Sequence, residues 1–224
     1  MNRNEINALP LAGDVSFRER AAEPGRTALL LIDLQNGEYN EKLVKAEPEN
    51  AYFWNRLGKT VIPNGQKLLA ACRGVGVEVL FTTVECYTLD GRDRSLDYKV
   101  SGIFFAKGSW EAQVFDELKP LPNEIVIPKM SSSVFCSTNM AYVLRNLGIE
   151  YLMVMGLLTD QCVESAVRDA CDLGFLVTLI EDACATKTQE RHDATLRAIK
   201  GYCRQRKTEQ VLAELGAWQK QAAE

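Results

Sequence analysis

The chain has 224 residues, 46% of them apolar and 25% charged, which suits one large domain with a substantial buried core. A net charge of −4 leaves no basic footprint, so nucleic acid is not an expected partner. No apolar run approaches the roughly 18 residues that span a bilayer, so no membrane association is expected. The opening stretch, MNRNEINALPLAGDVSFRER, has no continuous apolar segment of the kind a secretory leader needs.

In chain order, strand-like and helix-like patterns alternate. Residues 27–35, TALLLIDLQ, are an apolar run closing on an acid, the pattern of a strand buried on both faces. Residues 64–73 read as a helix and 77–85, VEVLFTTVE, as a second strand. Residues 109–120, SWEAQVFDELKP, predict a short helix with Ser109 as N-cap and Pro120 as its stop. Then come a third strand at 123–129, a helix at 138–147 closed by Gly148, a fourth strand at 151–156, a helix at 160–173 and a fifth strand at 175–182. Helices at 189–203 and 207–216 close the chain. This alternation implies βαβ crossovers and a mostly parallel sheet covered on both faces, a three-layer α/β/α domain. Residues 1–25 form an N-terminal extension and 26–224 the domain proper. Two polar and aromatic insertions, 37–57 and 86–107, follow the first two strands. Ligands of open α/β sheets bind beyond the carboxyl ends of the strands, so both insertions fall where a substrate site belongs.

The seven cysteines (Cys72, Cys86, Cys136, Cys162, Cys171, Cys184 and Cys203) are odd in number and scattered, with no CxxC pair. That pattern argues against a disulfide framework or a zinc ribbon and points to a reducing, cytoplasmic setting. His192 is the only histidine. A His-rich metal site is therefore excluded, and neither a metal nor another cofactor is expected.

Three chemistry-bearing residues stand at strand ends: Asp33 after the first strand, Lys129 at the end of the third and Cys162 just past the fourth. In a parallel sheet these ends face one side, so the three can converge. Each has a plainer reading: a capping acid, a surface lysine and a packing thiol. With Thr159 as N-cap, Cys162 falls at the third helical position, where orphan N–H groups and the helix dipole favour a thiolate. A nearby lysine would lower the thiol pKa further, a carboxylate could relay the proton, and the same N–H groups could hold an oxyanion. Cys171 lies mid-helix beside the apolar face and reads as core packing, as do Cys72 and Cys203. Cys86 and Cys136 lie near the strand-end side, and a secondary thiol role stays open for them.

The stretches LLLIDLQN, IVIPKMSSSVF and VMGLLTDQCVESAVRDACDLGF, supported by VTLIEDACAT, resemble the isochorismatase-like cysteine hydrolase superfamily over roughly residues 26–215. The G-x-x-T-x-x-C-V pattern is the most specific of these signals. The resemblance implies a six-stranded, Rossmann-like parallel sheet between helices and a catalytic triad of Asp33, Lys129 and Cys162. It also implies a cis peptide at Leu157–Leu158 and an oxyanion hole from the N–H groups of Leu158 and Cys162. Relatives hydrolyse small amides and ureido compounds such as nicotinamide, N-carbamoylsarcosine, biuret and ureidoacrylate, through a thioester, and are commonly dimers or tetramers. The implied function is cleavage of a C–N bond in a small amide or ureido compound by a homo-oligomeric, cytoplasmic enzyme. Nicotinamidases carry metal-binding histidines after the second strand, whereas FTTVECYTLDGRDRSLDYK has none, so nicotinamidase activity is not expected. Vinyl-ether hydrolysis of isochorismate and a non-catalytic binding role on the same fold remain as alternatives. A redox role for Cys162 would need Cys86 or Cys136 beside it.

For substrate binding, the candidates are the aromatics Tyr39, Phe53, Trp54, Tyr87 and Phe135. Arg92 and Arg94 could clamp a carboxylate, although Asp90, Asp93 and Asp97 could equally pair them in a solvated loop. Gln35, Asn36 and Gln161 could hydrogen-bond an amide or ureido group, and Gln35 could equally hold its own loop. His192, in a polar helical pattern, reads as a surface or interface residue.

Overall fold

A computed structural model of the chain describes residues 14–223. Its strands are β1 (Thr27–Ile32), β2 (Glu78–Val84), β3 (Ile125–Lys129), β4 (Tyr151–Leu157), β5 (Leu176–Ala185) and β6 (Arg204–Arg206), in the order β3-β2-β1-β4-β5-β6. Every pairing is parallel. The helices that matter below are α1 (Glu41–Ala46), α2 (Ala51–Arg56), α3 (Ile62–Gly74), α4 (Leu96–Val100), α5 (Val134–Ser137), α6 (Met140–Asn146), α7 (Glu164–Asp172), α8 (Gln189–Ile199) and α9 (Thr208–Ala223). Helices α3 and α9 pack together on the sheet as one layer, and α5, α7 and α8 contact one another as the other. The result is the six-stranded α/β/α sandwich expected.

Residue chemistry explains the arrangement. Strands β1 and β4 are buried along their whole length, because helices cover both faces of the sheet; hence the unbroken apolar runs. Strand order reverses between β1 and β4. That switch point leaves a crevice at their carboxyl ends.

The structure corrects four expected elements, and the simplest is α9, which runs to Ala223, seven residues past its expected end at 216. Residues 109–120 are not a helix. Ser109 does cap a turn, accepting from the Ala112 N–H, but the segment forms two short 3₁₀ turns, Trp110–Ala112 and Asp116–Leu118. Between them Val114 bridges antiparallel to Gln35, and the Asn36, Gly37 and Phe115 N–H groups exchange bonds with this segment and its neighbours. Its backbone groups are thus taken up in extending the chain beyond β1 rather than in closing helical rings. Helix α8 ends at Ile199, four residues short of the expected limit, and Arg204–Arg206 join the sheet edge as β6. Strand β5 runs three residues past its expected end at 182, to Ala185. Of the expected N-terminal extension, residues 1–13 lie outside the described residues. From residue 14 on it runs against the base of the sheet, where Tyr151 donates to Glu23 at 2.6 Å.

Candidate active site

At the switch point the three strand-end residues meet. Asp33 follows β1 with φ +54°, the left-handed region that short polar side chains tolerate best. Its Oδ1 accepts from the Thr82 hydroxyl at 2.8 Å, and its Oδ2 lies 2.8 Å from Lys129 Nζ without a directional hydrogen bond. Lys129 starts two strands from β1, about 10 Å across the sheet, and a lysine is long enough to reach back. Fully buried, its Nζ also donates to the Ser131 carbonyl at 2.8 Å and to Cys162 Sγ at 3.3 Å. The Tyr98 hydroxyl completes the cluster, 3.3 Å from Lys129 Nζ and 3.6 Å from the Cys162 sulfur.

The turn carrying Cys162 is built from Gly156 onward. Gly156 has φ +132°, and a Cβ there would meet the Ile32 carbonyl oxygen at 2.1 Å, so only glycine lets β4 approach β1 this closely. The Leu157–Leu158 peptide is cis. Thr159–Val163 then form a π turn in which the Leu158 carbonyl accepts from both Gln161 and Val163 N–H groups. Leu158, not Thr159, occupies the N-cap position.

The Thr159 side chain is engaged elsewhere, and this corrects the placement of His192. That histidine is buried, with Nδ1 2.9 Å from Thr159 Oγ1 and Nε2 2.9 Å from Arg56 Nη2. A guanidinium can only donate, so Nε2 accepts and Nδ1 carries the proton that Thr159 receives. Burial, then the Arg56 charge, lowers the His192 pKa to about 4. Arg56 is anchored in turn on the Cys184 and Glu181 carbonyls. On the far side of the turn, Asp160 accepts from Thr186 and pairs with Arg191.

The electrostatics also differ from expectation. Burial pushes the Cys162 thiol up to about 12, with Asp33 reinforcing the rise and Lys129 opposing it. Desolvation and a facing carboxylate thus work against the thiolate, and Lys129 works for it. Burial would lower Lys129, but Asp33 and Cys162 more than offset it and hold the ammonium above its ordinary value.

A cavity of about 200 Å³ opens beside the sulfur, lined by Asp33, Glu38, Val84, Tyr98, Ile103, Leu157, Leu158, Gln161, Cys162 and Lys187. Gln161 is the one expected substrate-binding side chain among them. Gln35 is a buried clamp, donating to the Val84 and Glu111 carbonyls and accepting from the Val84 N–H. Tyr39 packs on Trp54 and Phe115, and Asn36 donates to the Trp110 carbonyl. Trp54 is buried, with its indole N–H on the Glu47 carbonyl. Tyr87 is half exposed with its hydroxyl on the Pro128 carbonyl, and Phe135 stacks on Phe175. Arg92 is paired with Asp90 in solvent, and Arg94 lies over Phe104 and donates to the Gly91 and Ile103 carbonyls. These side chains serve the elements that carry them, and none of them lines the cavity.

The residues the sequence reading missed are Glu38, Thr82, Tyr98, Ile103 and Lys187. Glu38, Tyr98 and Ile103 do lie in the two insertions that were singled out, but nothing in their local pattern marks them. The other thiols lie off the pocket lining. Cys136 is exposed and donates to Asp169, Cys86 is buried, and Cys171 packs partly against the core with its thiol on the Tyr202 carbonyl. Among the described residues no group of three or more His, Cys, Asp or Glu side chains is placed to hold a metal ion, and no helix is long and apolar enough to cross a membrane.

Comparison with known proteins agrees with the fold. The isochorismatase domain model matches residues 27–210. Ureidoacrylate amidohydrolase RutB of Rhizobium rhizogenes is 34% identical over 177 residues, which cover 72% of this chain and 71% of that protein. Among solved structures, an isochorismatase-like hydrolase from Alkaliphilus metalliredigens superposes with a TM-score of 0.68 at 25% identity, covering 86% of this chain and 99% of that one. A cysteine hydrolase from Pseudomonas syringae pv. phaseolicola 1448A gives a TM-score of 0.77 at 21% identity, covering 88% and 95%. The chain belongs to the isochorismatase family.

Proposed function

We propose that the protein cleaves the C–N bond of a small ureido or carbamoyl compound through a covalent intermediate on Cys162. It is an enzyme, a carbon–nitrogen hydrolase of the amidohydrolase type, as the similarity to ureidoacrylate amidohydrolase supports. The observation that carries the mechanism is the buried cluster in which one ammonium, Lys129, lies 2.8 Å from Asp33 and 3.3 Å from the Cys162 sulfur, at the wall of a small cavity.

The steps follow from the charges. Burial works against a free thiolate at Cys162, so the sulfur needs a base, and Asp33, joined to it through Lys129, is the carboxylate of the cluster. Asp33 takes the thiol proton as sulfur attacks the carbonyl carbon, and Lys129 stabilises the thiolate as it forms. The N–H groups of Leu158 and Cys162 hold the oxyanion. Asp33 returns the proton to the departing nitrogen, which leaves as ammonia or an amine. Water activated by Asp33 then hydrolyses the thioester, which is a thiocarbamate ester if the carbamoyl group was attacked, and restores the thiol. Several exposed apolar side chains, including Leu89, Leu96 and Val100, support assembly as a dimer or tetramer. Seven free thiols suit a reducing cytoplasm.

The test is ammonia release from a panel of ureido and carbamoyl compounds by the wild type, Cys162→Ala and Cys162→Ser. Activity should fall by at least about 10³-fold in both variants. Release at the wild-type rate by Cys162→Ala would remove the nucleophile, and pyruvate formed from isochorismate would replace the reaction.

A further inference from the structure

The nucleophile turn, Thr159–Val163, is gripped from outside by the first turn of α8. Adjacent residues of that helix take adjacent residues of the turn. Arg191 reaches Asp160 with both Nε and Nη2, and His192 Nδ1 donates to Thr159 Oγ1 at 2.9 Å. Neither residue benefits α8 itself. An arginine in a helix's first turn meets the positive end of the dipole, and a buried imidazole costs desolvation unless its nitrogens are bonded. Residues that break a local rule are expected where function compensates. Both grips are braced in turn. Arg56 of α2 holds His192 Nε2 at 2.9 Å and is fixed on the Cys184 and Glu181 carbonyls of β5. Thr186, just past β5, donates to the other oxygen of Asp160. Thr188 caps α8 by accepting from the Arg191 N–H, and Tyr52 of α2 donates to Gln189 at 2.8 Å. The gripped pair stands between Leu158 and Cys162, the two residues whose N–H groups face the oxyanion in the thioester reading. The same pair sets where the Cys162 sulfur lies against Lys129, 3.3 Å away.

We propose that Arg191 and His192 are positioning residues for the reaction at Cys162: by clamping Asp160 and Thr159 they fix the Leu158 and Cys162 N–H groups and the sulfur between them. Neither lines the cavity, so both act through the turn and not on the substrate. The role given to the two N–H groups rests on the thioester reading; the clamp stands on its own contacts. Misplacing reacting groups by about 1 Å costs on the order of 100-fold in rate, and removing one oxyanion donor costs about 100- to 1,000-fold.

Isotope-labelled acetaldehyde, followed by carbon NMR, reads the turn without turnover. The thiol adds across the C=O bond: sulfur bonds to carbon, and the oxygen, facing the two N–H groups, takes up the thiol proton. Wild type should form this adduct and Cys162→Ala should lack it. Arg191→Ala, a change at a half-exposed side chain, and His192→Leu should bind the aldehyde about 10- to 100-fold more weakly. In ammonia release from the fastest compound of the panel, both should lose kcat by a similar factor with KM unchanged. Arg191→Lys keeps a cation for Asp160, and His192→Asn keeps an N–H for Thr159, so each should recover most of the loss. Wild-type aldehyde affinity in both Arg191→Ala and His192→Leu, a loss confined to KM, conservative variants as poor as these two, or no Cys162-dependent adduct in the wild type each overturns the proposal. Unchanged adducts with ammonia still released would remove the clamp and leave the hydrolase reading standing. A clamp-dependent adduct with no ammonia from any ureido or carbamoyl compound would do the reverse.

Discussion

One side of the pocket comes from strand ends and the nucleophile turn: Asp33 after β1 and Cys162 after β4 line it, with Lys129, closing β3, buried behind them. The other side comes from connections: Glu38 after β1, Tyr98 and Ile103 after β2, Lys187 after β5. On the first side every charge faces its partner within 3 Å or so, in full burial. On the second, a carboxyl and an ammonium line the cavity without touching. The difference teaches where each property is stored. Rigid strands hold groups to the tolerance that covalent chemistry needs, whereas connections can present uncompensated charge for a ligand to complete. Tyr98 belongs to both sides, carried by the insertion yet bonded into the cluster.

Several substitutions would break or sharpen that contrast. The largest effect is expected for Lys129→Met, which leaves Asp33 buried and unpaired. Stability should drop by about 3–5 kcal/mol, read by urea unfolding, and ammonia release should vanish. A variant as stable as the wild type would show that the strand-end side is not held by this pair.

His192→Gln probes the support beneath that side. The histidine is neutral when folded, with its pKa lowered from 6.5 to about 4, so the unfolded chain binds the extra proton. Its contribution is therefore fully present above about pH 6.5 and is lost as pH falls towards 4. At about 1.4 kcal/mol per pKa unit, the loss is of order 3 kcal/mol. Melting curves should show this acid slope in the wild type and a shallower one in His192→Gln; equal slopes would mean that the histidine is not the group titrating.

Tyr98→Phe removes one hydroxyl from between Lys129 and Cys162. A loss of about 1 kcal/mol, or roughly fivefold in kcat, is expected with little change in melting temperature. The smallest effect belongs to Arg92→Ala, where a solvated pair should be worth less than about 0.5 kcal/mol and KM should not move. A tenfold rise in KM there would place substrate contact on the loop after β2.

Much of this architecture is readable from pattern alone, for identifiable reasons. TALLLIDLQ and YLMVMG can only be strands covered on both faces, and acids, lysines or cysteines at the ends of parallel strands must emerge on one side. Where segments were misread, a long-range bond outweighed local propensity. The 109–120 segment has a good N-cap and a terminal proline, yet its backbone pairs with residues 34–37 beyond β1. Thr159 looks like a cap, yet its hydroxyl receives a proton from His192, 33 residues on. His192 lies in a polar run, QERHDATLR, which hides that one face of α8 seals the nucleophile turn.

Residue order therefore determined the sheet, its carboxyl edge and the three residues gathered there, because strand direction and a two-residue side-chain period are local properties. Tertiary structure alone decided that burial raises the Cys162 thiol, that Gln35 and Arg92 serve their own loops, and that Lys187 lines the pocket beside Phe53 and Trp54. Burial, desolvation and contacts between distant connections set those outcomes, and none of them is carried by any single stretch of the chain.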